Sequence, residues 1–306
     1  MFIVKHKIYF FVITAILMVA SLVLLVRPGL SLGIDFTGGS LLEVTYSEER
    51  PSAERVTEEI NKLPLGVFSL RKTGDNGFVL RTRDLRENER ITLLESLTLG
   101  GEHEYEVDRF TSIGPIIGDE LKKKAFVSII IVITAITFFI AFAFRKVSEP
   151  VSSWKYGIIA IVSLLHDVLI PAGAFVVYSM ITGAEVDTLF VTALLAILGY
   201  SINDTIVVFD RVRERLAYNR ERRIREDFET TVGQGLSQTY TRSINTSLTT
   251  AIVLLMLFII VGDATHHFAF TLLVGVIAGA YSSIFFAGPL LVVWGTREAK
   301  VKSKKK

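Results

Sequence analysis

The stretch GYSINDTIVVFDRVRERL, residues 199–216, carries a carboxylate inside a long apolar run and ends in basic, water-seeking side chains. A charged group at the centre of a membrane-spanning helix costs about 2.5–3.5 kcal/mol on insertion scales, so Asp204, with Asn203 beside it, calls for a partner and a use. Arg242 offers the partner. It opens the next apolar run, which starts from the same side of the membrane and runs antiparallel to the first. Asp204 lies about 9 Å inward of Asp210 at 1.5 Å per helical residue, so the two charges reach similar depth. When such a pair separates the carboxylate can take up a proton, and when it re-forms the proton leaves, which is the balance a proton-coupled switch needs.

Thr246, Thr249 and Thr250 follow Arg242 at helical intervals in RSINTSLTT. Thr246 therefore joins Asp204, Arg242 and Asn203 as a candidate proton-coupling set, with the hydroxyl row holding waters toward Asp204. The plainer reading is that these hydroxyls bond their own helix carbonyls and pack closely between helices. His166-Asp167, in SLLHDVLI, is a second titratable pair in an apolar run. Neighbouring helix positions point about 100° apart, so the two are not expected to pair simply with each other. A secondary proton relay and a buried structural bracket both stand open for them. His266 and His267, expected in an outer loop, lack a third ligand for metal, and the absence of cysteine removes thiolate and Cys-metal chemistry. No metal, cofactor or catalytic set is expected, and the chain does not read as an enzyme.

The elements that must position these residues are six apolar runs: Ile8 to Val26, Ala125 to Phe144, Tyr156 to Tyr178, Thr188 to Phe209, Ile244 to Val261 and Phe268 to Trp294. Each is near the ~20 residues that span ~30 Å of hydrocarbon as a helix. The first, after Lys5 and Lys7, is too long for a cleaved leader, and Arg27-Pro28-Gly29 offers no small-residue cleavage site, which predicts an uncleaved anchor. Arg145, Lys146, Lys155, Arg211 to Arg225, Arg242 and Arg297 to Lys306 fall on the side of Lys5 and Lys7, so both termini are expected in the cytoplasm. The net charge of +2 averages a basic inner face and an acidic outer domain and points to no nucleic-acid partner. Gly275 and Gly279, in G-x-x-x-G spacing, predict a close packing face on the last helix.

Between the first two spans, the patterning reads β-α-β-β-α-β: strands at Leu41 to Tyr46, Val67 to Lys72, Phe78 to Thr82 and Tyr105 to Phe110, helices at Ser52 to Leu63 and Glu87 to Leu99. This is the order of a ferredoxin-like unit, with Asp75-Asn76-Gly77 as a hairpin turn. GIDFTGGS, Gly33 to Ser40, lacks the Lys-Ser/Thr of a phosphate loop and predicts a flexible, tight connection. With Ser112 to Gly118 it brackets the domain like a pair of hinges. The fold class is an α-helical membrane protein of six spans with one extracytoplasmic α+β domain between helices 1 and 2. The expected divisions are residues 1–27 for the N-terminus and first span, 28–121 for the outer domain, 122–296 for spans 2–6 with a cytoplasmic loop at 210–241, and 297–306 for a basic tail. The opening of that loop is read as continuing the fourth helix, and Arg220 to Glu229 as an amphipathic helix along anionic lipid.

GIDFTGGS after the first helix, LLHDVLI in the third, GYSINDTIVVFDRVRE in the fourth, TRSINTSLTT opening the fifth and FAFTLLVGVIAGAYSSIFFAGPLL in the sixth together resemble the SecD/SecF family of protein translocase subunits. The resemblance covers nearly the whole chain. It implies an accessory, SecF-type part of the Sec export machinery in a bacterial or archaeal cytoplasmic membrane. Such a part pairs with SecD and uses the proton-motive force to help draw preprotein chains from the SecYEG channel. It implies kinship with the resistance-nodulation-division exporters and places the family's membrane Asp and Arg on Asp204 and Arg242. The residues Gly33, Asp35, Gly38 and Gly39 carry the signature of the first connection. Six helices make half of a twelve-helix bundle, so the other half is expected from a separate SecD chain. Two other readings compete: a half-size proton-coupled exporter of small molecules or lipids, and a passive assembly module in which the polar pair only locks helices.

Overall fold

The computed structural model describes residues 2–144, 153–260 and 262–295. Ser31–Phe126 with Glu185–Thr188 form one compact unit and the rest of the chain a second. In chain order the elements are α1 (Phe2–Lys5), α2 (Lys7–Val26), α3 (Ile34–Thr37), β1 (Gly39–Tyr46), α4 (Ala53–Asn61), β2 (Ser69–Thr73), β3 (Gly77–Thr82), α5 (Glu87–Leu97) and β4 (Tyr105–Ile113). The long helices follow: α6 (Pro115–Ala143), α7 (Ser153–Thr182), α8 (Thr188–Glu221), α9 (Phe228–Ile260) and α10 (Asp263–Tyr281), which continues through a π-helical segment, Ser282–Ala287.

Among the described residues, six helical spans are long and apolar enough to cross a membrane, as the sequence predicts. At least half of the spans on α7, α8 and the last helix is buried by neighbours, whereas little of those on α2, α6 and α9 is. Ile159, Leu164, Leu198, Val208, Phe209, Leu236 and Leu291 belong to one core, closed at one end by the rings of Phe144, Tyr156 and Phe209 at 5.2–6.0 Å. Hydrocarbon gives no hydrophobic drive between helices, so close approach must come from small residues. A Cβ on Gly275 would lie 2.1 Å from Ile197 Cδ1, and one on Gly279 would lie 2.8 Å from Ser201 Cβ, which sets the last helix tightly against α8.

The smaller unit is the expected ferredoxin-like domain. Its sheet order is β2-β3-β1-β4 with every neighbour antiparallel, the arrangement that β-α-β-β-α-β connectivity produces. Alternation along β1 sends Leu42, Val44 and Tyr46 to one face, where Phe78 and Leu80 of β3 and Val56, Ile60, Leu93 and Leu97 of the two helices complete a core. Ser52 caps α4 by accepting from Arg55 N at 3.4 Å.

Three expectations change. The Gly33–Gly39 connection is no open linker: it winds the turn α3 and is hydrogen-bonded on both sides. Gly33 N donates to Val186 O at 2.8 Å, and Val186 N donates to Ser31 O at 2.8 Å. Gly39 has a φ of +129° and its missing Cβ would meet Thr82 O at 2.6 Å, so compactness rather than flexibility selects glycine there. Second, α9 begins at Phe228, so residues 222–227 join it directly to α8 and no separate helix spans Arg220 to Glu229. The reason is local. Asp227 accepts from Thr230 N at 2.9 Å, a capping bond that starts α9 well before the apolar run. Third, His266 and His267 sit in the first turns of α10, not in a loop. Arg145, Lys146 and the basic tail 297–306 lie outside the described residues.

Candidate functional site

Asp204 lies on the buried face of α8, 5% exposed. A serine of α9 contacts it: Ser247 Oγ donates to Asp204 Oδ2 at 3.4 Å. Ser243, one turn earlier on the same face, is buried and also acts on the Asp204 carboxylate, without closing to a full hydrogen bond. Arg242 is exposed, close enough for its charge to act on Asp204, but among the described residues no ion pair joins them. The cause is helical phase. Ser243 and Ser247 occupy the α9 stripe that faces α8, so Arg242, about 100° round the helix, is turned to the flank. Asn203, next to Asp204, is likewise exposed.

The threonine row follows its plainer reading. Thr246 Oγ1 donates to Arg242 O at 2.9 Å, Thr249 Oγ1 to Asn245 O at 3.0 Å and Thr250 Oγ1 to Thr246 O at 3.0 Å, all within α9. Thr246 is exposed and does not reach Asp204. Tyr200 bridges the two helices instead, its hydroxyl donating to Thr246 O at 3.2 Å and lying 3.1 Å from Thr250 Oγ1. Sequence reasoning missed Ser243 and Ser247. The signal available was their four-residue spacing, one position out of phase with Arg242.

His166 and Asp167 are fully buried and, against expectation, bonded to each other, Nδ1 to Oδ1 at 2.8 Å. Their Cβ directions diverge, but both side chains turn toward the last helix, where His166 stacks on Tyr281 and Phe286 and Asp167 meets Ser282. Asp167 Oδ2 also accepts from Ser201 Oγ of α8 and from Ser282 Oγ at 3.0 Å. Thr205 and Ser283 pair at 2.9 Å one turn further along α8. Hydroxyls from two helices thus run from Asp167 to the residue beside Asp204.

On the outer unit, Asp35 has a definite task. Its Oδ2 accepts from Thr188 N at 2.8 Å and from Thr188 Oγ1 at 2.7 Å, capping the N-terminus of α8. Arg81 of β3 pairs with Glu185 at 2.6 Å and donates to Leu32 O at 3.1 Å and Thr37 Oγ1 at 2.6 Å, holding the same corner. No group of His, Asp and Glu suited to a metal ion occurs among the described residues.

Residues 94–297 match the family model "Protein export membrane protein SecD/SecF, C-terminal", and residues 23–49 match the "SecD/SecF GG Motif", which contains Gly38 and Gly39. Protein translocase subunit SecF of Thermobaculum terrenum is 38% identical, over 97% of this chain and 94% of that protein. SecF of Anaerolinea thermophila is 36% identical, over 94% of this chain and 92% of its own length. The crystal structure of SecDF, a translocon-associated membrane protein from Thermus thermophilus, superposes with a TM-score of 0.81 at 28% identity. That superposition covers 96% of this chain but only 38% of the SecDF chain. By its sequence, its six spans and its outer domain, the chain belongs to the SecF family of protein translocase subunits.

Proposed function

We propose that this chain acts with a SecD-type subunit in the cytoplasmic membrane and uses the proton-motive force, through Asp204, to promote preprotein movement through the SecYEG channel. The observation that carries the proposal is a carboxylate 5% exposed inside the helical bundle, contacted by a serine hydroxyl and with Arg242 nearby but unpaired. A buried carboxylate without a counter-charge is costly ionised and cheap protonated, whereas pairing with an arginine reverses that preference. The open pair is the arrangement that holds a proton, and closure onto Arg242 releases it. A proton crossing 100 mV releases about 2.3 kcal/mol, and each pH unit adds about 1.4 kcal/mol, enough to bias such an equilibrium about tenfold or more.

Partnership with SecD is supported by the SecDF likeness, in which this chain accounts for 38% of the longer one. The exposed apolar faces of α2, α6 and α9 are where lipid and a second bundle have room to pack. Placement of both termini in the cytoplasm rests on the basic side of the short loops. The test is Asp204→Asn, nearly isosteric and unable to titrate. In vesicles carrying SecYEG, SecD and this chain, the variant should assemble normally and lose the stimulation of preprotein translocation by an imposed proton gradient. Undiminished stimulation at equal protein level overturns the proposal.

A further inference from the structure

The bundle contains a second buried titratable group that the Asp204 switch does not use. His166 is 1% exposed and Asp167 0%. One carboxylate here collects bonds from three elements: His166 on α7, Ser201 on α8 and Ser282 on the last helix. Ser201 donates to Oδ2, and Ser282 shares its one hydrogen between Oδ2 and Gly279 O at 3.1 Å, so with a carboxylate as acceptor the hydrogen between His166 and Asp167 belongs on Nδ1. The neutral ring then presents a lone pair on Nε2, and Nε2 is buried without a hydrogen-bond partner. Ser163 Oγ, one turn earlier on α7, is also buried without one. An unsatisfied buried acceptor is costly, so an orphan on a ring oriented by three helices asks for an occupant.

The backbone around the pair is irregular on both sides. Pro171 lies inside α7 and removes the N–H that would otherwise bond the Asp167 carbonyl four residues before it. Opposite, the last helix widens into π geometry from Ser282 to Ala287, which turns Ser282 and Ser283 inward together, both 0% exposed. Single π turns inside α-helices occur frequently at functional sites. The ring lies between Tyr281 and Phe286, with centroids at 6.0 and 6.1 Å. Tyr281 is tied to α2, donating to Phe10 O at 3.1 Å and accepting from Thr14 at 3.4 Å. Among the titratable groups on the elements packed around the ring, Tyr281 on the last helix stacks on it, α8 carries Tyr200 and Asp204 within its apolar run, and α2 carries Tyr9. Between Ile8 and Val26, α2 contributes no charged side chain, and besides His166 and Asp167 α7 contributes Lys155 and Tyr156 about three turns before the pair and Tyr178 about three turns after it.

We propose that His166 and Asp167 form a second proton-binding site of this bundle, with Nε2 as the atom that takes the proton. A hydronium reaching the ring gives up H⁺ to Nε2 and leaves as water. The N–H bond forms there while Nδ1–H stays bonded to Asp167, so the imidazolium is neutralised by the carboxylate that Ser201 and Ser282 hold in place. Binding and release at Nε2 change the charge of the group that ties α7, α8 and the π segment together. The proposal deepens the proton-coupled reading and rests on it for its use, while proton binding itself is separately measurable.

The experiment is solid-state NMR on the full chain in lipid bilayers with ring-¹⁵N histidine, the His166 signals being identified by their loss in His166→Gln. The expected result is a neutral Nδ1–H form at the alkaline end of the range over which the protein stays folded and a doubly protonated ring at the acid end. Asp167→Asn should abolish the doubly protonated form over that range, while Asp204→Asn leaves it in place. A single neutral tautomer throughout, in wild-type protein, overturns the proposal and leaves a structural bracket. Titration of His166 together with unimpaired proton-driven export by Asp204→Asn would instead sink only the Asp204 reading.

Discussion

Among single residues, Arg242 stands beside Asp204 without pairing with it, and the proposed switch is the closing of that gap. Lysine at 242 keeps the charge but loses the planar fork that can hold a carboxylate with two bonds, so gradient-stimulated export should fall about tenfold. Leucine leaves Asp204 with no counter-charge in either arrangement and should abolish the stimulation. Near-normal export by both variants, measured in vesicles at matched protein level, would remove Arg242 from the switch. Glu226 provides a stability test outside the membrane. Burial pushes its carboxyl up, but bonds from Asn219 and Thr231, the Arg215 charge and a bond from Gln234 outweigh this and hold it below the usual carboxylate range. A lowered folded value means stabilisation that is complete above the unfolded value, about pH 4.3, and is lost as pH falls through the folded one. Thermal melts of the reconstituted chain should therefore lose stability below about pH 4. Glu226→Gln should flatten that loss, and identical acid profiles for the two proteins would contradict it.

At the scale of elements, Asp35 joins the turn α3 to the start of α8, which carries Asp204 fifteen residues on from Leu189. Removing an N-cap costs about 1 kcal/mol, so Asp35→Ala should speed hydrogen exchange at Thr188 to Phe190 about fivefold. Unchanged exchange there would show that the cap holds nothing. This corner was invisible in the sequence. Periodicity reports which face a residue occupies, and Asp35 meets Thr188 across more than 150 residues of chain. The spans and the β-α-β-β-α-β order were legible because burial writes itself into apolar runs and alternation, as Leu42, Val44 and Tyr46 show. The start of α9 was not, because Phe228 to Tyr240 is polar enough to read as a loop, although its helix is set by the Asp227 cap. Asp204 stood out by its cost alone. The serines that face it did not, since Ser243 and Ser247 differ from the neighbouring threonines only in helical phase.

At the scale of the whole molecule, proton energy becomes work only if a body outside the membrane acts on the emerging chain, and the ferredoxin-like unit is the sizeable candidate within this chain. Excising Leu41 to Phe110 should leave membrane insertion and the Asp204 environment intact while abolishing enhancement of export. Full enhancement by the truncated protein would show that the outer unit does not act on preproteins. If Asp204 couples protons to preprotein movement, proton flux must depend on it. Vesicles containing SecYEG, SecD and this chain, with a pH-sensitive dye inside and an imposed gradient, should show proton movement that rises when a translocating preprotein is supplied. That increment should vanish with Asp204→Asn, whereas an equal increment in wild type and variant, or none in wild type, would contradict the account.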